Sequence, residues 1–402
     1  MKRPEVLAPV GDWERLEAAV QYGADAVYLG GKEFGMRAAP QNFDREQLKA
    51  AVDYAHAHGV KVYLTCNTLP RNDEIEHFPD YIRYAASIGI DACIANDIGV
   101  FMLIREHAPD MEIHVSTQAG IVNYQTANTF YQLGAKRVVL ARELSLEEIR
   151  EIRAKVPDDL EIEVFVHGAM CMSVSGRCLL SNYIVSRDAN RGECAQPGRW
   201  GYYLMEEKRP GEYFPVYQDE KGSYILNAKD LCMIEYIDKL VEAGVTSLKI
   251  EGRAKSSYYV SVVTNAYRCA VDEYLQNPQD FHLSDWIRDE VYKVSHRRYS
   301  TGFYFGTPDQ YYENGGYLRE YDVVAMVDDC KDGFLFCTQK NKFCTGDEVE
   351  ILSPGKPPVS LTVGELFDEE GSPIADTRHA NMKFKMKTEV TAVAGSVIRK
   401  AK

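Results

Sequence analysis

The chain has no run of about 18 apolar residues, so no segment reads as a helix long enough to cross a bilayer. Met1-Lys2-Arg3-Pro4-Glu5 lacks the apolar core of a signal peptide, and the expected location is the cytoplasm, with no membrane partner. Positive charge is in deficit. Lys and Arg number 46 against 60 Asp and Glu, a net charge of −14, which excludes a broadly basic nucleic-acid surface. Local patches are not excluded, because steering depends on patches rather than totals. The candidates are His296-Arg297-Arg298, Lys340 with Lys342, and the tail Arg399-Lys400-Ala401-Lys402. Tight metal signatures are also missing: no Cys-x2-Cys knuckles, no close ferredoxin triplet and no Cys-x3-Cys-x2-Cys. No Gly-x-Ser-x-Gly elbow and no His-Glu-x-x-His helix occurs, which removes two common hydrolase signatures.

What is present is an ordinary globular mix, 45% hydrophobic and 26% charged over 402 residues. Short apolar strands alternate with helical patterns from the start. The strand candidates begin at Val6, Ala26, Lys61, Ala92, Glu112, Arg137, Glu161 and Ser247. Eight parallel strands with helices between them predict the α/β class and a (β/α)8 TIM-like barrel, with an open doubly wound sheet as the alternative. Ser145 with Glu148 reads as a capping box, and Asp12 as a helix N-cap. The eighth strand is delayed by an insertion over about residues 168–246, in the position after a barrel strand where such enzymes place chemistry. From about residue 320 the texture changes to short strands and turns. The expected domains are therefore 1–310, the barrel with its insertion, and 320–402, a small antiparallel β-barrel.

Ten cysteines without a secretion signal point toward metal or catalytic use rather than disulfides. Cys66 and Cys93 sit in apolar strand-like runs and read as core. Cys171, Cys178, Cys194 and Cys232 all fall in or at the edge of the polar, Gly-rich insertion, spaced Cys-x6-Cys-x15-Cys-x37-Cys. Four thiols there suggest a metal site against a set of unrelated free thiols, and thiolates select zinc, copper(I) or iron–sulfur. Gly168, Gly176 and Gly192 would let backbone approach closely, and Ser173 and Ser175 could donate to cluster sulfurs. Polar groups end most strands on the same rim: Asn67, Asn96, Thr117 with Gln118, Arg142 with Glu143, His167, and Glu251 with Arg253. Arg37 follows the second strand and Arg187 lies in the insertion. His167 and Glu251 are the candidate catalytic groups. Arg37, Asn67, Asn96, Gln118, Arg142, Arg187 and Arg253 are the candidate substrate contacts, since arginine suits bidentate carboxylate recognition. The other reading of His167 is a structural histidine, and of each arginine a structural ion pair. A thiol protease built on Cys171 and His167 is also open.

Phe165-Val-His-Gly-Ala-Met-Cys-Met-Ser-Val-Ser-Gly-Arg-Cys178 resembles the signature of the collagenase-like peptidase family U32. Arg187-Asp-Ala-Asn-Arg-Gly-Glu-Cys-Ala-Gln-Pro197, Lys229-Asp-Leu-Cys232, Leu7-Ala-Pro-Val-Gly11, Asp25-Ala-Val-Tyr-Leu-Gly30, Met36-Arg-Ala38 and Ile250-Glu-Gly-Arg253 resemble further blocks of it. The resemblance covers residues 5 to about 310, and the C-terminal segment resembles the family's accessory domain. It implies a 4Fe-4S cluster on Cys171, Cys178, Cys194 and Cys232, with zinc as the physical alternative. Gly198 stands where members often carry a further cysteine; Cys232 still makes four. The resemblance further implies an oxygen-independent RNA hydroxylase, most similar to the branch acting on the wobble uridine of tRNA with prephenate, a small dicarboxylate, as oxygen donor. A paralogous family subunit or a homo-oligomer is an expected partner, and Tyr299, Tyr304 or Trp200 are aromatics to hold an unstacked base. A collagenase-like peptidase and a non-catalytic RNA-binding scaffold are the other functions it leaves open.

Overall fold

The structure is a computed structural model that describes residues 3–35, 42–171, 229–308 and 317–402, with residues 181, 185, 187, 194–195, 203–204 and 214–215. The eight expected strands form β1 (Glu5–Pro9), β2 (Ala26–Leu29), β3 (Lys61–Cys66), β4 (Ala92–Ala95), β5 (Glu112–Val115), β6 (Arg137–Val139), β7 (Glu161–Gly168) and, after three short strands, β11 (Ser247–Ile250). Each pairs in parallel with the next, and β11 closes on both β1 and β7. This is a closed barrel, and the open-sheet alternative falls because no edge remains among these eight strands. The three short strands lie between β7 and β11: β8 (Tyr203–Leu204), β9 (Phe214–Pro215) and β10 (Asp230–Cys232). Of these, β10 runs antiparallel to the end of β7, pairing Leu231 with Gly168 and Cys232 with His167. β12 (Tyr299–Ser300) then pairs with β10.

The helices on the outside are α1 (Trp13–Gln21), α2 (Arg45–Ala57), α3 (Asn72–Ile75), α4 (Phe78–Ser87), α5 (Ile98–His107), α6 (Tyr124–Leu133), α7 (Leu146–Lys155), α8 (Ile237–Glu242), α9 (Ser257–Gln276) and α10 (Asp285–Glu290). Their starts follow the sequence signals. Asp12 accepts from the Arg15 amide, and Ser145 and Glu148 close the expected capping box.

Alternation along each strand sends one set of side chains outward to the helices and the other into the barrel. Val6, Ala8, Val27, Leu29, Val62 and Leu64 join the large outer core. Leu7, Ala26, Tyr28, Tyr63, Ala92 and Ile94 form a separate inner cluster. The rest of the interior is polar: Glu163 and His114 are fully buried, and Arg137 and Lys249 nearly so. Arg137 bonds Glu5 at 2.6 Å, Glu161 at 2.6 Å and Glu163 at 2.9 Å, and Lys249 bonds Glu163 at 2.7 Å.

The C-terminal unit is an eight-stranded antiparallel sheet curled around its own apolar core. Its strands are β13 (Tyr321–Lys331), β14 (Phe334–Gln339), β15 (Glu348–Leu352), β16 (Val359–Thr362), β17 (Leu366–Asp368), β18 (Pro373–Ile374), β19 (Lys383–Lys387) and β20 (Val397–Ala401). The edge strands β16 and β18 do not pair among the described residues, so the sheet curls without the closed ladder of a barrel. Arg399 on β20 reaches into the first unit. It is fully buried and bonds Glu290 of α10 at 2.8 Å and Glu350 of β15 at 2.7 Å. Lys293 also pairs with Glu350, at 2.9 Å. The expected basic patches dissolve here. Arg399 is interior; His296 and Arg297 are buried, with Arg297 paired to Asp230 at 2.7 Å; Lys340 and Lys342 pair with Glu14 and Asp376.

Arg399→Met should leave the buried Glu290 carboxylate without its strongest partner and cost about 3–5 kcal/mol. Denaturant unfolding of the variant checks this, and an unchanged midpoint would show that the pair does not hold the two units together.

Candidate functional site at the barrel mouth

The C-terminal ends of β2, β3, β4, β5, β6, β7 and β11 surround a pocket that opens to solvent. The C-terminal mouth is where β/α-barrel enzymes carry their chemistry. Of the residues expected from sequence, Asn67, Gln118, Arg142, Glu251 and Arg253 line it. Tyr28, Thr65, Ile94, Ser116, Thr117, Phe165 and Lys249 complete the wall.

Arg142 lies flat on Phe165, its guanidinium carbon 3.9 Å from the ring centre, and donates through Nη1 to the Ala169 carbonyl at 2.9 Å. Its Nε is buried without a hydrogen-bond partner. Arg253 is buried and spans the mouth, donating to Thr65 Oγ1 at 3.2 Å and to Asn42 Oδ1 at 2.6 Å. A Cβ on Gly30 would stand 2.3 Å from Arg253 Nη2, so a side chain there would push the guanidinium from its place. Asn96 ends β4 beside the pocket without lining it, and its buried Oδ1 has no hydrogen-bond partner. Arg187 is exposed, and no described contact brings its side chain to the pocket. Arg37 and Cys178 lie outside the described residues.

His167 is placed differently from the expectation of a rim acid. It is 1% exposed, does not line the pocket, and packs against Tyr259, Tyr267 and Tyr299. Tyr299 spends its only hydroxyl proton on the Val291 carbonyl at 2.7 Å, so across the 3.2 Å contact His167 Nε2–H is the donor. Burial, with His296 and Lys255 nearby, pushes the imidazole down to about 3. The ring is therefore neutral, and its Nε2–H is committed to Tyr299. Tyr299 and Tyr304 likewise do not await a base. Tyr299 stacks on His296 with centroids 4.3 Å apart, and Tyr304 is buried with its hydroxyl on the Phe165 carbonyl at 2.6 Å. Trp200 lies outside the described residues.

The residue that sequence reading missed is Lys249. Its signal was present: the alternate positions Ser247 and Lys249 on β11, Glu161 and Glu163 on β7, Arg137 on β6 and Glu5 on β1 put charge into the inward register of adjacent strands. Lys249 Nζ sits 4.5 Å from the Tyr28 ring centre and 5.5 Å from that of Phe165.

Three of the four expected metal-site cysteines are described. Cys171 is exposed just past β7, Cys194 is half-buried, and Cys232 is half-buried on β10; none of the three is in a disulfide among the described residues. Burial pushes the Cys232 thiol up to about 12. Among the described residues no three His, Cys, Asp or Glu side chains gather closely enough to hold a metal ion. Cys178, the fourth thiol of the expected set, lies outside the described residues.

A cation-lined pocket at the mouth of a closed β/α barrel is the layout of enzymes of that fold. Residues 11–314 match Peptidase family U32, and residues 319–399 match the Peptidase family U32 C-terminal domain. The chain belongs to peptidase family U32. It is similar to tRNA hydroxylation protein P1 of Bacillus subtilis, 38% identical over 407 residues that cover 100% of this chain and 96% of that protein. It is 39% identical over 421 residues to tRNA hydroxylation protein P of Escherichia coli, covering 93% and 92%. A collagenase of Porphyromonas gingivalis is 37% identical over 312 residues, covering 75% and 73%.

Glu163, beneath Lys249, provides a test of this interior. Burial alone would raise its carboxyl, but Lys249 and Arg137, with His114 adding to them, hold it at about 2 against an ordinary 4.5. Because the folded state binds this proton more weakly, the stabilisation is present above about pH 4.5 and fades as pH falls toward about 2, on the order of 3 kcal/mol in all. Acid titration of Glu163→Gln should show a flatter stability curve across that window than the unsubstituted protein, and parallel curves would contradict the assignment.

Proposed function

We propose that this chain is an oxygen-independent tRNA hydroxylase acting on the wobble uridine, with prephenate as oxygen donor and a 4Fe-4S cluster held by Cys171, Cys178, Cys194 and Cys232. The observation that carries the reading is the mouth pocket. Arg142, Arg253 and Lys249 converge there with one carboxylate, Glu251, on the end of the barrel from which the cysteine-bearing insertion departs. A surplus of cations suits an anionic small molecule such as a dicarboxylate. The names of the similar bacterial proteins, tRNA hydroxylation proteins P1 and P, support tRNA as the second substrate.

The donor set fits the cluster by its chemistry. Cys171, Cys194 and Cys232 form no disulfide among the described residues, and thiolates suit iron–sulfur or zinc. The cost that burial places on a Cys232 thiolate is one a bound cationic centre would offset. Bound there, a 4Fe-4S cluster would supply redox chemistry without molecular oxygen. The protein's own tasks are then separate ones. Arg142 and Arg253 orient the donor's carboxylates, Phe165 and Tyr28 give its carbon frame an apolar wall, and Asn67 and Gln118 offer neutral hydrogen bonds. Glu251 is the group placed to accept or return a proton. It stands in the wall with its backbone fixed, its amide donating to the His167 carbonyl at 2.9 Å and its carbonyl accepting from Tyr259 at 2.9 Å.

Purification under strict anoxia should give a coloured protein with about four irons and matching sulfide per chain, lost in variants carrying Cys→Ser at positions 171, 178, 194 and 232. A deletion strain should yield tRNA lighter by one oxygen at the wobble uridine, restored by the wild-type gene and not by the cysteine variants. Stoichiometric zinc without iron overturns the cluster, and unchanged tRNA mass overturns the hydroxylase.

A further inference from the structure

We propose that Lys249 is a second anion receptor on the pocket floor, so that Lys249 and Arg142 together seat the two carboxylates of one compact dicarboxylate across Phe165. This rests on the reading of the pocket as the donor site.

Lys249 is 5% exposed yet forms part of the pocket wall. Of its three ammonium protons one is used, on Glu163 Oε1 at 2.7 Å. Its other neighbours are ring faces, Tyr28 at 4.5 Å and Phe165 at 5.5 Å, which a carboxylate displaces readily as a partner. Arg142 is in a similar state: Nη1 is bonded to Ala169, while Nε is buried with no partner. Both cations lie within 5.5 Å of the same Phe165 ring. Two under-used receptors on one aromatic wall define a ligand with two anionic ends and an apolar body between them. Glu163 takes one Lys249 proton and is itself shared with Arg137 at 2.9 Å, which leaves two ammonium protons for a ligand. Its role is to fix the ammonium in place, which makes it a positioning residue for Lys249.

The test uses the full chain purified under anoxia and titrated calorimetrically with prephenate, and separately with inorganic phosphate. Lys249→Met should bind prephenate about 30-fold more weakly. The double variant Lys249→Met/Glu163→Gln, which leaves no orphaned carboxylate, should show the same loss with a melting temperature nearer wild type. Wild-type affinity in both variants overturns the Lys249 seat and leaves the pocket reading standing. No prephenate binding by the wild-type protein overturns both. Phosphate binding as tight as prephenate overturns the dicarboxylate class.

Discussion

The contact on which the barrel interior depends is the Glu163 carboxylate between Lys249 and Arg137. A carboxylate with no exposed surface is tolerated only when paired and hydrogen-bonded. Glu163 meets that condition through two cations, Lys249 at 2.7 Å and Arg137 at 2.9 Å. Arg137 on β6 in turn gathers Glu161 from the neighbouring β7 and Glu5 from β1. The result is a column of paired charge rising through the barrel to the pocket floor. Most barrels fill this space with branched apolar side chains. Here polarity is carried to the mouth, and Lys249 arrives there already oriented.

A second constraint shapes the side of the mouth nearest the cysteines. β7 and β11 slip register at Lys249–Ile250, so that Phe165 and then His167 become their partners. A slip re-aims side chains at the end of a ladder. Phe165 enters the pocket, while His167 sits among three tyrosines. Gly168 follows with φ +106°, and a Cβ there would stand 2.5 Å from the Glu251 carbonyl. Glycine at that point lets β7 turn out of the barrel toward Cys171 while β10 adds Cys232 alongside. The tyrosine cage and this turn set the backbone from which two of the four thiols are presented.

Much of this was legible from pattern. Strand apolarity and βα spacing gave the closed barrel, because burial on two faces leaves little freedom in which residues can form parallel strands. Asn67, Gln118, Arg142, Glu251 and Arg253 were legible because polar groups at strand ends have no packing role. His167 was not. A histidine ending a strand reads as functional until its neighbours are known, and those neighbours, Tyr259, Tyr267 and Tyr299, come from segments about 90 to 130 residues later. Lys249 was hidden for the opposite reason. One charge in Ser-Leu-Lys-Ile looks like an outward residue until Glu163 and Arg137 are seen on the same inner face. The basic triplet at 296–298 and the tail arginine failed as surface patches because each found a buried acid, Asp230 and Glu290.

The pocket chemistry also bears on the two activities attached to the names of similar proteins. Peptide hydrolysis by acyl transfer needs a nucleophile next to a base, and a base oriented by a third group. No cysteine or histidine is among the described residues of the wall. Its threonine hydroxyls are committed to backbone carbonyls, Thr65 to Leu29 and Thr117 to Leu140, both at 3.0 Å. Ser116 Oγ accepts from the Gln118 amide at 3.3 Å. The one histidine nearby is neutral, enclosed and already donating to Tyr299. What the described wall does offer is charge, Arg142, Arg253 and Lys249 with Glu251. That composition suits the anionic donor proposed above, and among the described wall residues it supplies no cysteine or histidine for acyl transfer.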